Sequence, residues 1–423
     1  MSKKIFVPAD ILLPNGVDME KWSVIACDQF TSEPEYWKEV ANVVGDAPST
    51  LGMMLPEAYL DHDNTDKAIA EVNETMRRNL ENGVFRTLRE SFVYVERRLA
   101  NGAVRHGLIG AIDLDSYDYK GGKNAFVYPT EGTVEERLPP RVKVRQNAAL
   151  EMPHIIVFID DPDRTVIEPI ADGLDASGKI YDFDLMCGGG HITGWQVAGE
   201  RADRAEIALQ ALADPETLAR KYGEGTDVPM VFAVGDGNHS LATAKRCWEN
   251  IKSGLTDEEK QRHPARYGLV ELVNLHDESI VFEPIHRAVF GVDPEHFAAE
   301  AEMFLTGRSR SGQDAHTIRC ITGKTDKKIL ISGLSIGELI GAAEEFCQAY
   351  ISQNGGRIDY IHGDDTAAAL GAGDRNASLL LPPMEKTELF RSIIKSGVFP
   401  RKSFSIGHAR DKRYYLECRM IAG

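Results

Sequence analysis

Apolar and polar positions follow two rhythms along the chain, one of period 3.6 and one of short continuous apolar runs. Between Asp66 and Gly83, Ile69, Val72, Met76 and Leu80 recur at helical spacing, and Gly83 stands where such a helix would stop. Phe92-Val93-Tyr94-Val95 and Leu108 to Ile112 flank Asn101-Gly102, which predicts a hairpin with a type I′ turn, because both residues tolerate positive φ. His154 to Ile159 and Met230 to Val234 read as short buried strands. Arg201 to Tyr222 reads as a helix broken around Asp214-Pro215, and Ser240 to Ile251 as a second helix. Further on, Leu269 to Leu275 and Lys328 to Ile331 read as strands. A helix from Ile336 to Ile351 places Leu339, Ile340, Ala343, Phe346, Cys347 and Tyr350 on one face. Another from Glu385 to Lys395 is stopped by Gly397 and Pro400, and Phe404 to Ile406 with Tyr414 to Leu416 reads as a closing hairpin around Asp411-Lys412.

Helices alternating with strands predict an α/β architecture, with a mixed α+β arrangement as the alternative. No internal repeat is visible. The polar stretch Lys252 to Pro264 has the most linker-like composition, so two α/β regions are expected, 1–255 and 256–423.

Composition narrows the class. With 423 residues, 43% hydrophobic and 27% charged, the chain can bury a large core without disulfides or a structural metal. Its six cysteines are scattered and form no C-x-x-C pair, which fits a reducing cytoplasm. The first residues carry two lysines but no apolar segment of signal-peptide type, and no run long enough to span a bilayer occurs. A formal net charge of -17 opposes binding to nucleic acid or to anionic membranes, so a small-molecule ligand is expected.

The sharpest chemical feature is Gly235-Asp236-Gly237-Asn238-His239-Ser240, where a buried strand gives way to a helix. Glycine permits close backbone approach, and a helix start offers unpaired N–H groups with partial positive charge, a combination suited to a phosphate or carboxylate. Asp236 can hold a metal ion or accept a proton, and His239 can stabilise a phosphoryl oxygen. The plainer alternative is a tight turn in which Asn238 or Ser240 merely caps the helix. Secondary candidates are the loop Gly188-Gly189-Gly190-His191 before Trp195, Glu131 with Arg137 as a base and a phosphate fork, His286-Arg287 at a strand end, and Asp28 near the N-terminus as a buried acid or a helix cap. No P-loop, G-x-G-x-x-G, H-E-x-x-H or G-x-S-x-G is present.

In this order, the pieces resemble the uncharacterised prokaryotic family called domain of unknown function 1015. Glu131, Thr133 and Arg137 match its acid–Thr–Arg loop, His191 and Trp195 its His before Trp, and His286 and Arg287 its His-Arg strand end. Phe399-Pro400-Arg401-Lys402-Ser403 matches its closing Met/Phe-Pro-x-Lys-Ser. Where the family has Asp-Gly-His-His-Arg, this chain has Asp236-Gly237-Asn238-His239-Ser240, which marks a divergent member. That signature is in turn similar to one in ParB/sulfiredoxin-like proteins, which include a free-serine kinase. The resemblance implies a ParB/sulfiredoxin-like core with a second α/β portion. It also implies phosphoryl transfer on a small metabolite such as serine, with Mg²⁺ and a nucleotide (ADP or ATP) as cofactors. In that reading Asp236, His239 and Glu131 do the chemistry, with Asp236 also as metal ligand. Gly235, Gly237, Asn238, Ser240, Arg137, His191, His286 and Arg287 hold the ligand. Two other readings stand beside it: a binding or regulatory protein that keeps the anion pocket without chemistry, and a metal-dependent hydrolase using His191, Asp236 and His239.

Overall fold

The computed structural model describes residues 3–60, 64–121, 125–152, 154–223, 229–323 and 325–423. The chain is mixed α/β and forms two compact units. The first comprises Met1–Pro129, Thr133–Ile280 and His408–Gly423, and the second Thr130–Gly132 and Val281–Gly407.

The division at 280/281 differs from the expected one near 255. The polar stretch after Lys252 is not a linker. It contains the short helix Asp257–Arg262, closed by a capping box between Thr256 and Glu259, and leads directly into the strand Tyr267–Asn274 of the first unit. A helix held by its cap and by solvated charges buries little, so its composition looks like that of a linker.

The first unit is built on a ten-stranded sheet, among the described residues. Its order is Val127–Pro129, Phe232–Asp236, Ile156–Ile159, Tyr267–Asn274, Val104–Asp113, Phe85–Arg98, His191–Val197 and Lys179–Asp184. Phe6–Val7 and Ala9–Pro14 pair alongside. The apolar runs at 156–159 and 232–234 are buried because both lie inside this sheet, where each face meets core side chains. Phe85–Arg98 and Val104–Asp113 form the expected hairpin, but with a different turn. Of Asn101 and Gly102 only the glycine has positive φ, at 86°. Leu99 and Ala103 close a three-residue loop through Leu99 N to Ala103 O (2.8 Å), with Gly102 N to Leu99 O (2.9 Å) inside it, as in a type I turn followed by a glycine bulge. Asn101 contributes through its side chain, accepting from Ala103 N.

The second unit carries a six-stranded antiparallel sheet in the order Thr325–Ser332, Ala315–Thr322, Asn376–Leu380, Phe282–Phe290 and Arg357–His362, with Phe404–Ile406 pairing on Phe282–Phe290. The helix Ile336–Asn354 buries the face read from its spacing, and Phe346 and Tyr350 pack edge-on against Phe297. The closing hairpin does not form. Phe404–Ile406 belongs to the second unit's sheet, whereas Tyr414–Tyr415 pairs with Val24–Ile25 in the first. Each strand pairs with a partner far along the chain rather than with its neighbour in sequence, a choice that local pattern cannot reveal.

Candidate functional site at the strand-to-helix turn

The strand Phe232–Asp236 and the helix Asn238–Lys252 meet at Gly237. Both glycines of this turn are sterically required. A Cβ on Gly235 would lie 2.1 Å from Phe158 Cε2, and one on Gly237 would lie 3.0 Å from the backbone Cα of Ile155. Gly237 also has φ 77°, a left-handed conformation that side chains disfavour. Gly237 is the N-cap residue, and among the described residues no side chain caps the helix. Neither Asn238 nor Ser240 fills that role. Ser240 Oγ lies 3.4 Å from His154 Nε2, and Asn238 Oδ1 is buried without a hydrogen-bond partner among the described residues. The first amides of a fifteen-residue helix therefore keep their partial positive charge.

Around this turn the first unit assembles groups from distant parts of the chain. Lys412 Nζ is 3.3 Å from Asp236 Oδ2, and both side chains are mostly buried. His154 is buried, with Nε2 3.4 Å from Asp28 Oδ2 and Nδ1 3.0 Å from Tyr415 Oη. The Tyr415 hydroxyl also reaches Cys27 Sγ at 3.0 Å. Burial alone would lower the pKa of His154. The facing Asp28 carboxylate outweighs it, with smaller help from Asp236 and Glu57, and holds the imidazole above its ordinary value. Burial would likewise raise Asp28, but the His154 charge and hydrogen bond keep its carboxyl well below the usual range. Burial pushes the Cys27 thiol up to about 12, so it is no nucleophile near neutral pH. The turn thus places a helix start without a described side-chain cap beside a lysine, a histidine and two carboxylates. Its residues are half-buried, apart from the buried Gly237 and His154.

His239 adjoins this cluster, but its Nε2 accepts the N–H of Val134 (3.3 Å), which braces the loop after the second unit's short segment. Arg137 is exposed in the 3₁₀ turn Glu135–Arg137, and its carbonyl accepts from Arg141. His191 is separated from the turn. Its strand lies five positions from Phe232–Asp236 in the sheet, and its ring bonds Asp182 and Asp184, each at 2.7 Å. The ligand set His191, Asp236 and His239 expected for a metal hydrolase is therefore not assembled. Among the described residues, no three His, Cys, Asp or Glu side chains are grouped to hold a metal ion.

Glu131, His286 and Arg287 belong to the second unit. Burial raises the Glu131 carboxyl, against the backbone N–H groups of Ser403 (3.1 Å) and Lys402 (3.3 Å) that it accepts. His286 bridges Asp364 (3.0 Å) and the amide of Leu381 (3.1 Å), and burial lowers its pKa despite the nearby Asp364. Arg287 is buried against Glu344 at 3.1 Å, with its guanidinium over the Tyr360 ring. All three tie elements of that unit together.

Sequence reasoning missed His154, Lys412 and Tyr415. His154 opens an apolar run, and Lys412 and Tyr415 stood in what read as a hairpin. The one visible signal was a histidine at the mouth of a buried strand.

The fold is mixed α/β, and the strand-to-helix turn carries a helix start that no described side chain caps. The family model described as "Protein of unknown function (DUF1015)" matches residues 12–339, and the chain belongs to this family. No curated protein matches it. Among solved structures it is similar to SbnI with a C-terminal truncation from Staphylococcus aureus, at 10% identity and TM-score 0.35, over 71% of this chain and 82% of that one. A mutant free serine kinase in complex with ADP is similar at 9% identity and TM-score 0.37, over 72% and 90%. A conserved hypothetical protein from Pyrococcus furiosus follows at 12% identity and TM-score 0.33, over 72% and 92%. Among the described residues, no helix is long and apolar enough to cross a membrane.

Proposed function

We propose that the turn Gly235 to Ser240 binds the phosphate of a nucleotide or phosphorylated metabolite, and that the protein transfers a phosphoryl group to or from a small hydroxyl-bearing metabolite, serine being the first candidate. The observation that carries this reading is the uncapped start of the helix Asn238–Lys252, with the Lys412 ammonium and the His154 imidazole close by. Phosphoryl transfer asks mainly for positioning and charge neutralisation, which backbone amides and fixed cations supply. Asp28, a carboxylate with partial solvent access that stays ionised, orients the attacking hydroxyl. Asp236, anchored by Lys412, sets the phosphate's position. Where Mg²⁺ accompanies a nucleotide, Asp236 offers it one carboxylate, the usual protein share for a cation that keeps waters and phosphate oxygens. His239 lies beside the phosphate seat and polarises it.

One observation favours a binding protein without chemistry: His239 is already engaged by Val134, and Asp236 by Lys412. A single experiment separates the two readings. The protein is incubated with Mg²⁺, ADP or ATP and serine, and separately with phosphoserine, and followed by ³¹P NMR beside a thermal-shift titration. Turnover that Asp236→Asn abolishes supports transfer. Stabilisation by nucleotide without turnover across a broad donor panel leaves binding alone, and neither effect overturns both.

A further inference from the structure

At the other end of the strand Ile156–Ile159 from Asp236 lies a cavity of about 460 Å³ within the first unit. Ile156 pairs with Asp236, whereas Ile159 pairs with Asn274, whose side chain holds Glu168 of the cavity wall, so the cavity lies toward the opposite end of this strand from the turn. The cavity is lined by Tyr94, His106, Arg164, Glu168, Asp277 and Glu278, among others, and the proposed phosphoryl chemistry uses none of them.

Two features mark it as built for a ligand. The first is a fixed histidine. Asp277 Oδ2 accepts from the backbone N of His106 (3.2 Å) and pairs with its Nδ1 (2.8 Å), while Oδ1 accepts from Ser279 N (2.9 Å) and Ser279 Oγ (2.6 Å). The imidazole also lies nearly parallel to the Tyr94 ring, at 22°. With Nδ1 committed, Nε2 is the ring nitrogen left to serve the cavity. The hydrogen bond to Asp277 raises the His106 pKa, which favours the protonated ring and so an anionic partner at this pole. The second feature is an incompletely bonded carboxylate. Glu168 Oε1 accepts from Asn274 Nδ2 at 2.8 Å, but its buried Oε2 has no hydrogen-bond partner among the described residues. Such an oxygen asks for an N–H donor. Arg164 adds a second cation at the rim, 3.9 Å from Glu278 and so not in a direct hydrogen bond with it.

We propose that this cavity binds a small zwitterionic amino acid, its ammonium on Glu168 and its carboxylate on His106 and Arg164. The cavity volume falls in the range of small-metabolite sites. A ligand of one sign would satisfy one pole and be repelled by the other.

The test is isothermal titration calorimetry of the full-length protein with each of the common α-amino acids, taken singly to millimolar concentration. For any that binds, the N-acetyl form, which lacks the ammonium, and the amide form, which lacks the carboxylate, are titrated next. Each blocked form should bind at least about tenfold more weakly, since a charge-assisted hydrogen bond is worth about 1.5–3 kcal/mol. Glu168→Gln, nearly isosteric and remote from the Asp277 tie, should weaken binding to the same degree, and Arg164→Gln should weaken it less. Asp236→Asn should leave the affinity unchanged, which distinguishes this site from the phosphate turn. The proposal is overturned if no amino acid binds, if the blocked forms bind equally well, if Glu168→Gln binds like the parent, or if Asp236→Asn abolishes binding.

Discussion

Replacing Gly237 by alanine tests the geometry on which the phosphate turn depends. The new Cβ must adopt φ 77°, which costs an L-residue about 1–2 kcal/mol. It also lies 3.0 Å from both Cα and Cγ1 of Ile155. Since Cα is backbone at the entrance to a buried strand, the neighbour cannot swing aside, and overpacking adds about 1 kcal/mol. Loss of glycine entropy in the unfolded chain returns about 0.4–1 kcal/mol. The net destabilisation is about 1–2.6 kcal/mol. With an m value of about 3 kcal/mol/M, the urea midpoint falls by about 0.3–0.9 M. Tryptophan fluorescence reads this cleanly, because Trp22, Trp37, Trp195 and Trp248 all lie in the first unit. The control is Gly102→Ala, at φ 86° with nothing within 4 Å of the new Cβ. It carries the left-handed cost without the collision, so its midpoint should fall clearly less. Equal shifts in the two variants would show that the close approach to Ile155 does not constrain the turn. A stabilised Gly237→Ala would refute the left-handed conformation itself.

Lys412→Met should leave Asp236 without its cation and cost about 1–3 kcal/mol in the same urea assay, with Lys412→Arg recovering most of it; full stability of the methionine variant would remove Lys412 from the site. Arg413 is buried between Glu271 (3.0 Å) and Glu417, and Arg413→Met should cost about 3–5 kcal/mol by leaving Glu417 without a cation and Glu271 with Arg105 alone. A loss below 1 kcal/mol would show that water reaches them. The pair His154 and Asp28 gives stability a pH window. Burial opposes both charges, yet His154 sits above 6.5 and Asp28 below 3.8 because each faces the other. The stability due to His154 is complete below pH 6.5 and is lost as pH rises through its raised folded value. That due to Asp28 is present above pH 3.8 and is lost as pH falls through its lowered value. His154→Gln should therefore flatten the decline of the urea midpoint above pH 6.5, and an unchanged slope there would contradict the assignment.

The sequence by itself determined the local half of this protein. Periodicity located the helix Thr65–Glu81, the helix Ile336–Asn354 with its buried face, and the break between Glu200–Leu212 and Pro215–Tyr222. Two glycines around Asp236 marked a turn where a strand meets a helix, since close approach and positive φ leave a signature in residue type. Tertiary structure alone decided which side chains share that turn. His154, Asp28, Lys412 and Tyr415 come from three distant stretches of chain, and nothing in their neighbours announces the contact. It likewise separated His191 from Asp236 by five strand positions, although both sit beside glycines at the ends of apolar strands. The same limit explains the missing closing hairpin and the boundary at 280/281. Strand pairing is chosen by burial and by partners far along the chain, whereas propensity and turn chemistry act only across a few residues.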